Sequence, residues 1–360
     1  MSTLEEQQTY FANRLKKRFK HLWKYAKRVG TNAFRVYHKD IPELPFAVDW
    51  YNNHLHVAEY ARPHERTPEE HEEWLKAMLD TAAKALTVPR ERVFFKRRER
   101  QKGTDQYEPV DRRNYTLEIE EQGLLFKVNL SDYVDTGLFL DHRELRLYVA
   151  KRCEGARFLN LFGYTGGFTV YAAAGGARST LTLDLSNTYL EWAQENMEMN
   201  ALIGPHHEFR RCDILQELGV LAGEGRRFDV IVLDPPSFSN SKNMRLTFDV
   251  QRDHLDMLTQ CLDLLEPGGE LIFSTNKRKF QFDRQELLDL AAARYGSSRG
   301  KPSRAPGSAP PSSKSHNQPA ERNNRAANDV LDIRKITKLT MPDDFEGTKI
   351  HHVWSIARKR

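Results

Sequence analysis

A chain of 360 residues with 39% hydrophobic and 29% charged side chains has the length for a sizeable core and the composition of a globular protein. No apolar run nears the ~18 residues a membrane helix needs, and the opening MSTLEEQQTYF lacks an apolar signal core, so a cytoplasmic setting is expected. The net charge of +5 is local: between residues 297 and 328 six Lys/Arg face the single acid Glu321, so whole-chain charge says nothing about nucleic acid.

Residues 1–30 read as a basic amphipathic helix. Leu15, Phe19, Leu22, Ala26 and Val29 recur at helical spacing, and Lys17, His21, Lys24 and Arg28 form a parallel basic stripe. Eight Lys/Arg and no acid lie between Arg14 and Arg28, near the aromatics Trp23 and Tyr25. Such a stripe reads either as a solvated face or as a phosphate-binding one. The same two readings apply to Arg97, Arg100 and Lys102.

Alternating runs at 33–37, 46–50 and 54–60, a helix at 68–86 and a strand at 92–96 predict a small mixed α/β accessory domain over 31–135. From Arg143 onward apolar strands at 156–160, 179–184, 207–212, 229–234 and 270–275 alternate with helical stretches such as 187–202 and 248–265. That alternation predicts a Rossmann-like, doubly wound parallel sheet over 136–360. Five prolines and no Ile, Leu, Val, Phe, Trp or Tyr between 297 and 328 predict a disordered insertion. Closing strands are expected at 331–339 and 349–357, with His351 and His352 on the sheet surface. Cys153, Cys212 and Cys261 are scattered without a CxxC pair, so neither disulfides nor a metal site are expected.

The chemistry gathers at the strand ends. Asn160-Leu161-Phe162-Gly163-Tyr164-Thr165-Gly166-Gly167-Phe168 sits at a strand-to-helix junction, where glycines let the backbone turn tightly and approach a ligand. Its G-x-x-G-G spacing is not the G-x-G-x-x-G dinucleotide pattern. Asp184 ends the next strand, where an acid either accepts ribose hydroxyls or caps the following helix. Asp213, ending the third, either meets an adenine amino group or caps. Strand four ends in Asp234-Pro235-Pro236-Ser237-Phe238. The prolines fix φ and give up their donors, so the loop presents carbonyls and a carboxylate, and Phe238 can stack on a base.

The series NLFGYTGGFT, LDLS, CDIL, DPPSFSNSK and LEPGG resembles class I S-adenosylmethionine (SAM)-dependent methyltransferases over 140–280. DTGLFLDHR, RRERQKG, FDVQRDH, FSTNKRKF and the opening YFANRLKKRFKHLWKYA are similar to the RlmK-like domain, the C-terminal half of bifunctional bacterial 23S ribosomal RNA guanine methyltransferases. The resemblance implies SAM as cofactor, 23S rRNA as partner and N7-methylguanine as product. It puts Phe162, Gly163, Tyr164, Thr165 and Gly166 around the methionine part of SAM, Asp184 at the ribose and Asp213 at the adenine. Phe139, Asp141 and Arg143 close the pocket, and Asn160, Leu185 and Asp234 complete the cofactor contacts. Asp234, Pro235, Pro236 and Phe238 hold the target base, and Asn276, Lys277 and Arg278 face RNA. The sequence opens at Met1 directly on this half, so the N2-methylating half is expected to be absent. Three other readings stay open: guanine-N2 methylation, a SAM-retaining RNA-binding or remodelling module without catalysis, and pyrimidine-C5 methylation. The last needs a cysteine nucleophile, and the motif after strand five, Ser274-Thr275-Asn276, lacks one.

Overall fold

The computed structural model describes residues 3–98, 113–239, 247–296, 330–348 and 350–360. The insertion at 297–328, and Arg100 and Lys102, lie outside these.

Helix α1 (Leu4–Val29) starts at a capping box. The Thr3 hydroxyl accepts the Glu6 N–H at 3.2 Å, and the Glu6 carboxylate accepts the Thr3 N–H at 2.7 Å. Its buried residues, among them Phe11, Leu15, Leu22 and Ala26, follow the helical period. They pack on a sheet of β1 (Ala33–His38), β2 (Phe46–Tyr51), β3 (His54–Tyr60) and β4 (Val93–Arg98), in that order. The first three strands are antiparallel; β4 runs parallel to β3 because α2 (Pro68–Leu86) crosses over between them. Both helices share one apolar core with Phe34, Phe46, Trp50 and Leu55. Trp23 and Tyr25 point into this half of the molecule: Trp23 packs against Phe19, Phe34 and Trp50, and Tyr25 is buried.

A hairpin of β5 (Thr116–Glu121) and β6 (Leu124–Asn129) follows, turning at Gln122 and Gly123 with φ of +54° and +82°. Two successive left-handed residues make the tight turn whose twist suits a hairpin. Phe126 and Val128 join Ala33, Tyr51 and Phe94 from the first sheet and Tyr171 beyond it in one core, so the hairpin bridges the two halves.

After α3 (Arg143–Ala150) comes a seven-stranded sheet. Its strands are β7 (Arg157–Leu161), β8 (Ser179–Asp184), β9 (His207–Arg211), β10 (Phe228–Leu233), β13 (Leu265–Thr275), β14 (Leu331–Lys335) and β15 (His352–Arg358). Helices α4 (Gly167–Ala174), α5 (Asn187–Met199), α6 (Ile214–Gly223), α7 (Val250–Leu264) and α8 (Arg284–Tyr295) connect them, and β11 (Phe238–Ser239) pairs with β12 (Phe248–Asp249). The spatial order is β14-β15-β13-β10-β7-β8-β9, with β15 antiparallel to both its neighbours. This is the expected doubly wound, Rossmann-like α/β sheet beside a smaller N-terminal α/β unit. The chain leaves β7 towards β8 and leaves β10 towards β13, so the loops after β7 and β10 part and open a crevice at that switch point.

An ionic cluster locks the two halves together. The Arg143 guanidinium donates to Glu121 at 3.1 Å, to Asp344 at 2.9 Å and to the Ala33 carbonyl at 2.7 Å, while Arg146 reaches Glu121 at 2.6 Å. The side chains of Arg143, Glu121 and Asp344 are wholly buried.

Candidate functional site

At the end of β7 the chain turns through left-handed residues: Phe162 at φ +60°, Tyr164 at +48° and Gly166 at +75°. Left-handed φ is strained for aromatic residues, and such strain gathers at ligand sites. Gly163 between them lies so close to β8 that an added Cβ would meet Thr182 Cγ2 at 2.4 Å. The Asp184 carboxylate accepts the Tyr164 N–H and the Ser186 N–H, each at 2.9 Å. Burial pushes the Asp184 carboxyl above the usual carboxylate range, although those N–H groups pull it back. The helix-capping alternative for Asp184 is taken by Ser186, whose hydroxyl accepts the Tyr189 N–H at 3.3 Å. Asp213 does cap: it accepts the Leu215 N–H at 3.2 Å and the Gln216 amide at 2.9 Å at the start of α6.

At the end of β10, Asp234 leads into Pro235, Pro236, Ser237 and Phe238. The Ser237 hydroxyl donates to Asn276 Oδ1 at 2.6 Å, which ties this loop to the one after β13. Phe238 is 52% exposed. Below Asp234 lies a chain of buried polar groups. His142 Nδ1 is 3.6 Å from Asp234 Oδ2, and His142 Nε2 is 3.4 Å from Ser274 Oγ. Burial lowers the His142 pKa against the pull of Asp234 and Asp141. Asp141 Oδ2 pairs with His351 Nδ1 at 2.8 Å. Burial alone would raise Asp141, but His142 and the hydrogen-bonded His351 outweigh it and hold the carboxyl well below its usual range.

His351 is therefore not on the sheet surface: it is 1% exposed and reaches back 210 residues to Asp141. Asp141, His142 and His351 bring metal-ligand atoms within 4.8 Å of one another, among the described residues the one group that does so. Cysteine and histidine spacing along the chain could not show a triad assembled by folding.

One cavity of about 1300 Å³ joins these parts. Phe139, Asp141, Phe162, Gly163, Tyr164, Thr165, Asp184, Leu185, Asp213, Asp234, Pro235, Pro236, Phe238, Asn276 and Arg278 line it. Arg143, Asn160, Gly166 and Lys277 do not. Arg143 is consumed by the ionic cluster, and the Asn160 amide donates to Thr169 at 2.9 Å behind the loop. Gly166 packs on Ala193, and Lys277 pairs with Asp249 at 2.6 Å. Lys17, Lys24, Arg28 and Arg97 also lie outside it; Arg28 pairs with Asp343 at 3.0 Å and Arg97 with Glu72 at 2.7 Å. Sequence reasoning missed His142 and a wall from the N-terminal unit, formed by Arg14, Arg18, Arg35, Lys39 and Arg98.

A family model described as S-adenosylmethionine-dependent methyltransferase matches residues 34–297. The chain belongs to this family. The methyltransferase is 44% identical over 351 residues to ribosomal RNA large subunit methyltransferase K of Neisseria meningitidis, covering 98% of this chain and 88% of that one. It is 48% identical over 350 residues to ribosomal RNA large subunit methyltransferase K/L of Vibrio cholerae, covering 97% of this chain but 44% of that protein. Among solved structures, a methyltransferase complexed with SAH aligns at a TM-score of 0.70 with 21% identity, covering 97% of this chain and 81% of that one. A SAM-dependent methyltransferase from Streptococcus mutans aligns at 0.67 with 19% identity over the same shares, and both show the fold.

The residues at the β7 end fit the cofactor. Gly163 lets the loop seat tightly on β8, the Asp184 carboxylate lines the cavity, and the Tyr164 hydroxyl is buried at the cavity wall without a side-chain partner among the described residues. Among the described residues no helix is long and apolar enough to cross a membrane.

Proposed function

We propose that this methyltransferase modifies 23S rRNA of the large ribosomal subunit and places the methyl group on guanine N7. The observation that carries the reading is the 44% identity, over nearly the whole of both chains, to a protein named as large subunit methyltransferase K. The N7 choice follows the RlmK-like motifs, and elementary chemistry supports it. Guanine offers its donors, N1–H and the amino group, on one edge and the N7 lone pair on the other. Asp234 and the Pro235 carbonyl are acceptors, suited to hold the donor edge while Phe238 stacks on the ring. N7 needs no deprotonation.

When bound, SAM supplies a methyl group activated by its sulfonium. The protein's part is then alignment, which can contribute ~7–11 kcal/mol to lowering the barrier. In this reading Asp184 and Leu185 hold the ribose, Asp213 the adenine end, and residues 162–166 the methionine part. Phe139 and Asp141 close the pocket. Lys17 and Lys24, exposed on α1, extend a basic surface for RNA phosphates. Reversing both to Glu should weaken all RNAs alike and lower the salt dependence of binding by about one unit per lost contact; an unaltered salt slope would make the stripe a solvated face.

The pyrimidine reading needs a thiolate. Cys212 does line the cavity, but burial pushes its thiol up to about 12, and Cys153 likewise, while Cys261 is wholly buried with its thiol raised further. Thiols of that kind are protonated and inert near neutrality. Replacing Cys153, Cys212 and Cys261 together by Ser should therefore preserve methyl transfer to in vitro transcribed 23S rRNA. N7-methylguanine carries a fixed positive charge on its imidazole ring, so borohydride followed by aniline should cleave the methylated RNA at one site. Cysteine-dependent activity would favour the pyrimidine reading; a methylated guanine that survives aniline would favour N2.

A further inference from the structure

The cavity is larger than the ~300–1,000 Å³ usual for one small ligand, and its N-terminal wall is strongly cationic. Most of those cations are already neutralised. Arg14 pairs with Asp40 at 2.6 Å, Arg35 with Asp49 at 2.7 Å and Arg98 with Asp135 at 2.5 Å. Lys39 and Arg278 are different: among the described residues neither has a carboxylate partner, and both are exposed on the cavity wall. Lys39 follows β1 in a left-handed turn at φ +55°, with its ammonium 4.1 Å from the centre of the Tyr60 ring. Arg278 comes from the other half of the molecule, two residues after the Asn276 that holds Ser237 of the base loop.

We propose that Lys39, Arg98 and Arg278 form a binding site for one phosphodiester group of the substrate RNA, next to the nucleotide whose base enters between Asp234 and Phe238. Lys39 and Arg278 bring two uncompensated like charges to the cavity wall beside the Asp135-paired Arg98, and these repel one another. Although Lys39 is exposed as a residue, its ammonium group is partly desolvated within the cavity, which lowers its pKa first, followed by Arg35, Arg278 and Arg98. An arrangement that raises its own electrostatic energy is relieved when an anion arrives, and a phosphate brings the acceptors for several charge-assisted hydrogen bonds at once. Two of the three cations keep their full charge for it. The site also spans both halves of the molecule, so a bound phosphate would bridge the N-terminal unit to the loop after β13.

The site rests on the RNA reading above, and the test separates the two. Two anions could occupy it: an RNA phosphate, or the carboxylate of SAM itself. The Lys39→Gln/Arg278→Gln variant removes both free charges at exposed positions and should melt like the parent. With in vitro transcribed 23S rRNA its KM should rise roughly tenfold, and the slope of log affinity against log salt should fall by about one to two. Affinity for SAH, measured by calorimetry without RNA, should be unchanged, and Arg278→Lys should recover most of the salt slope. An unchanged KM and slope would remove the site, and so would a parallel loss of SAH affinity, which would assign the cluster to the cofactor carboxylate. If the parent protein itself transfers no methyl group to 23S rRNA, the RNA reading fails instead.

Discussion

Arg143→Ala should destabilise the methyltransferase by about 3–5 kcal/mol, the range for breaking a buried ion pair from one side. Glu121 keeps Arg146 as a partner, but Asp344 loses the guanidinium paired with it among the described residues and keeps backbone contacts such as the Arg35 N–H at 2.9 Å. Burial already pushes the Asp344 carboxyl up against the opposing pull of Arg143, so without Arg143 it is an uncompensated buried charge. At roughly 2–4 °C per kcal/mol the melting temperature should drop by on the order of 10 °C. The sign with pH is definite. With Arg143 gone, the folded-state pKa of Asp344 lies further above its unfolded value, so the folded state takes up the proton more readily. The deficit should then narrow as pH falls towards the carboxylate range. Adding Asp344→Asn should recover part of the loss at neutral pH. A variant that melts within a degree or two of the parent would show that the cluster does not hold the halves together. SAH affinity, compared at a temperature where both proteins are folded, should change little, because Arg143 does not line the cavity.

Arg143 illustrates what was legible in the sequence. Strands and helices followed from local pattern: β3 and α2 match their expected bounds, and the β7 and β10 loops stand at the switch point because glycines and prolines punctuate the strand ends. The hairpin of β5 and β6 was not foreseen. Its outward residues alternate charge with apolar contact, as in TLEIEE, and its apolar positions face a core that exists only once the two halves meet. The same holds for charge. Arg143 ends a motif that reads as pocket-closing and shares a helix face with Arg146 just beyond it, yet Glu121 and Asp344, which decide where Arg143 goes, are 22 and 201 residues away. Only Arg146 reaches the cavity.

The cavity itself was half legible. Residues presented by the ends of parallel strands could be placed because topology fixes where those ends point. Lys39, Arg35 and Arg98 could not, since the β1 and β4 sequences do not reveal which end of the small sheet meets the crevice. The basic stripe on α1 was visible as a pattern, whereas the cations that line the cavity from that helix are Arg14 and Arg18, which lie between that stripe and the apolar face. His142 and His351 were hidden for the same reason, as their partners are set by tertiary packing alone.

Asp184→Ala should weaken SAM binding by roughly 10- to 100-fold, since hydrogen bonds to a charged group contribute ~1.5–3 kcal/mol. The argument rests on what the carboxylate already does. Two backbone N–H groups hold it in place, so it is oriented before any ligand arrives, yet burial keeps its proton affinity above that of an ordinary Asp. A ribose diol offers two more donors to the ionised form and fewer useful contacts to the protonated one. Binding therefore favours the ionised state, and affinity should fall as pH drops through the raised pKa of the free protein. That decline should begin at a higher pH than an unperturbed Asp, near 3.9, would give. Asp184→Asn keeps the shape and one acceptor but cannot ionise. It should bind SAM more weakly than the parent at pH 7 and show a flat profile over the range where the parent declines. Calorimetric titration of both proteins between pH 4.5 and 7.5 is the measurement. Unchanged affinity in the Ala variant would take the ribose away from Asp184; a parent and an Asn variant that decline in parallel would assign the titration to another group.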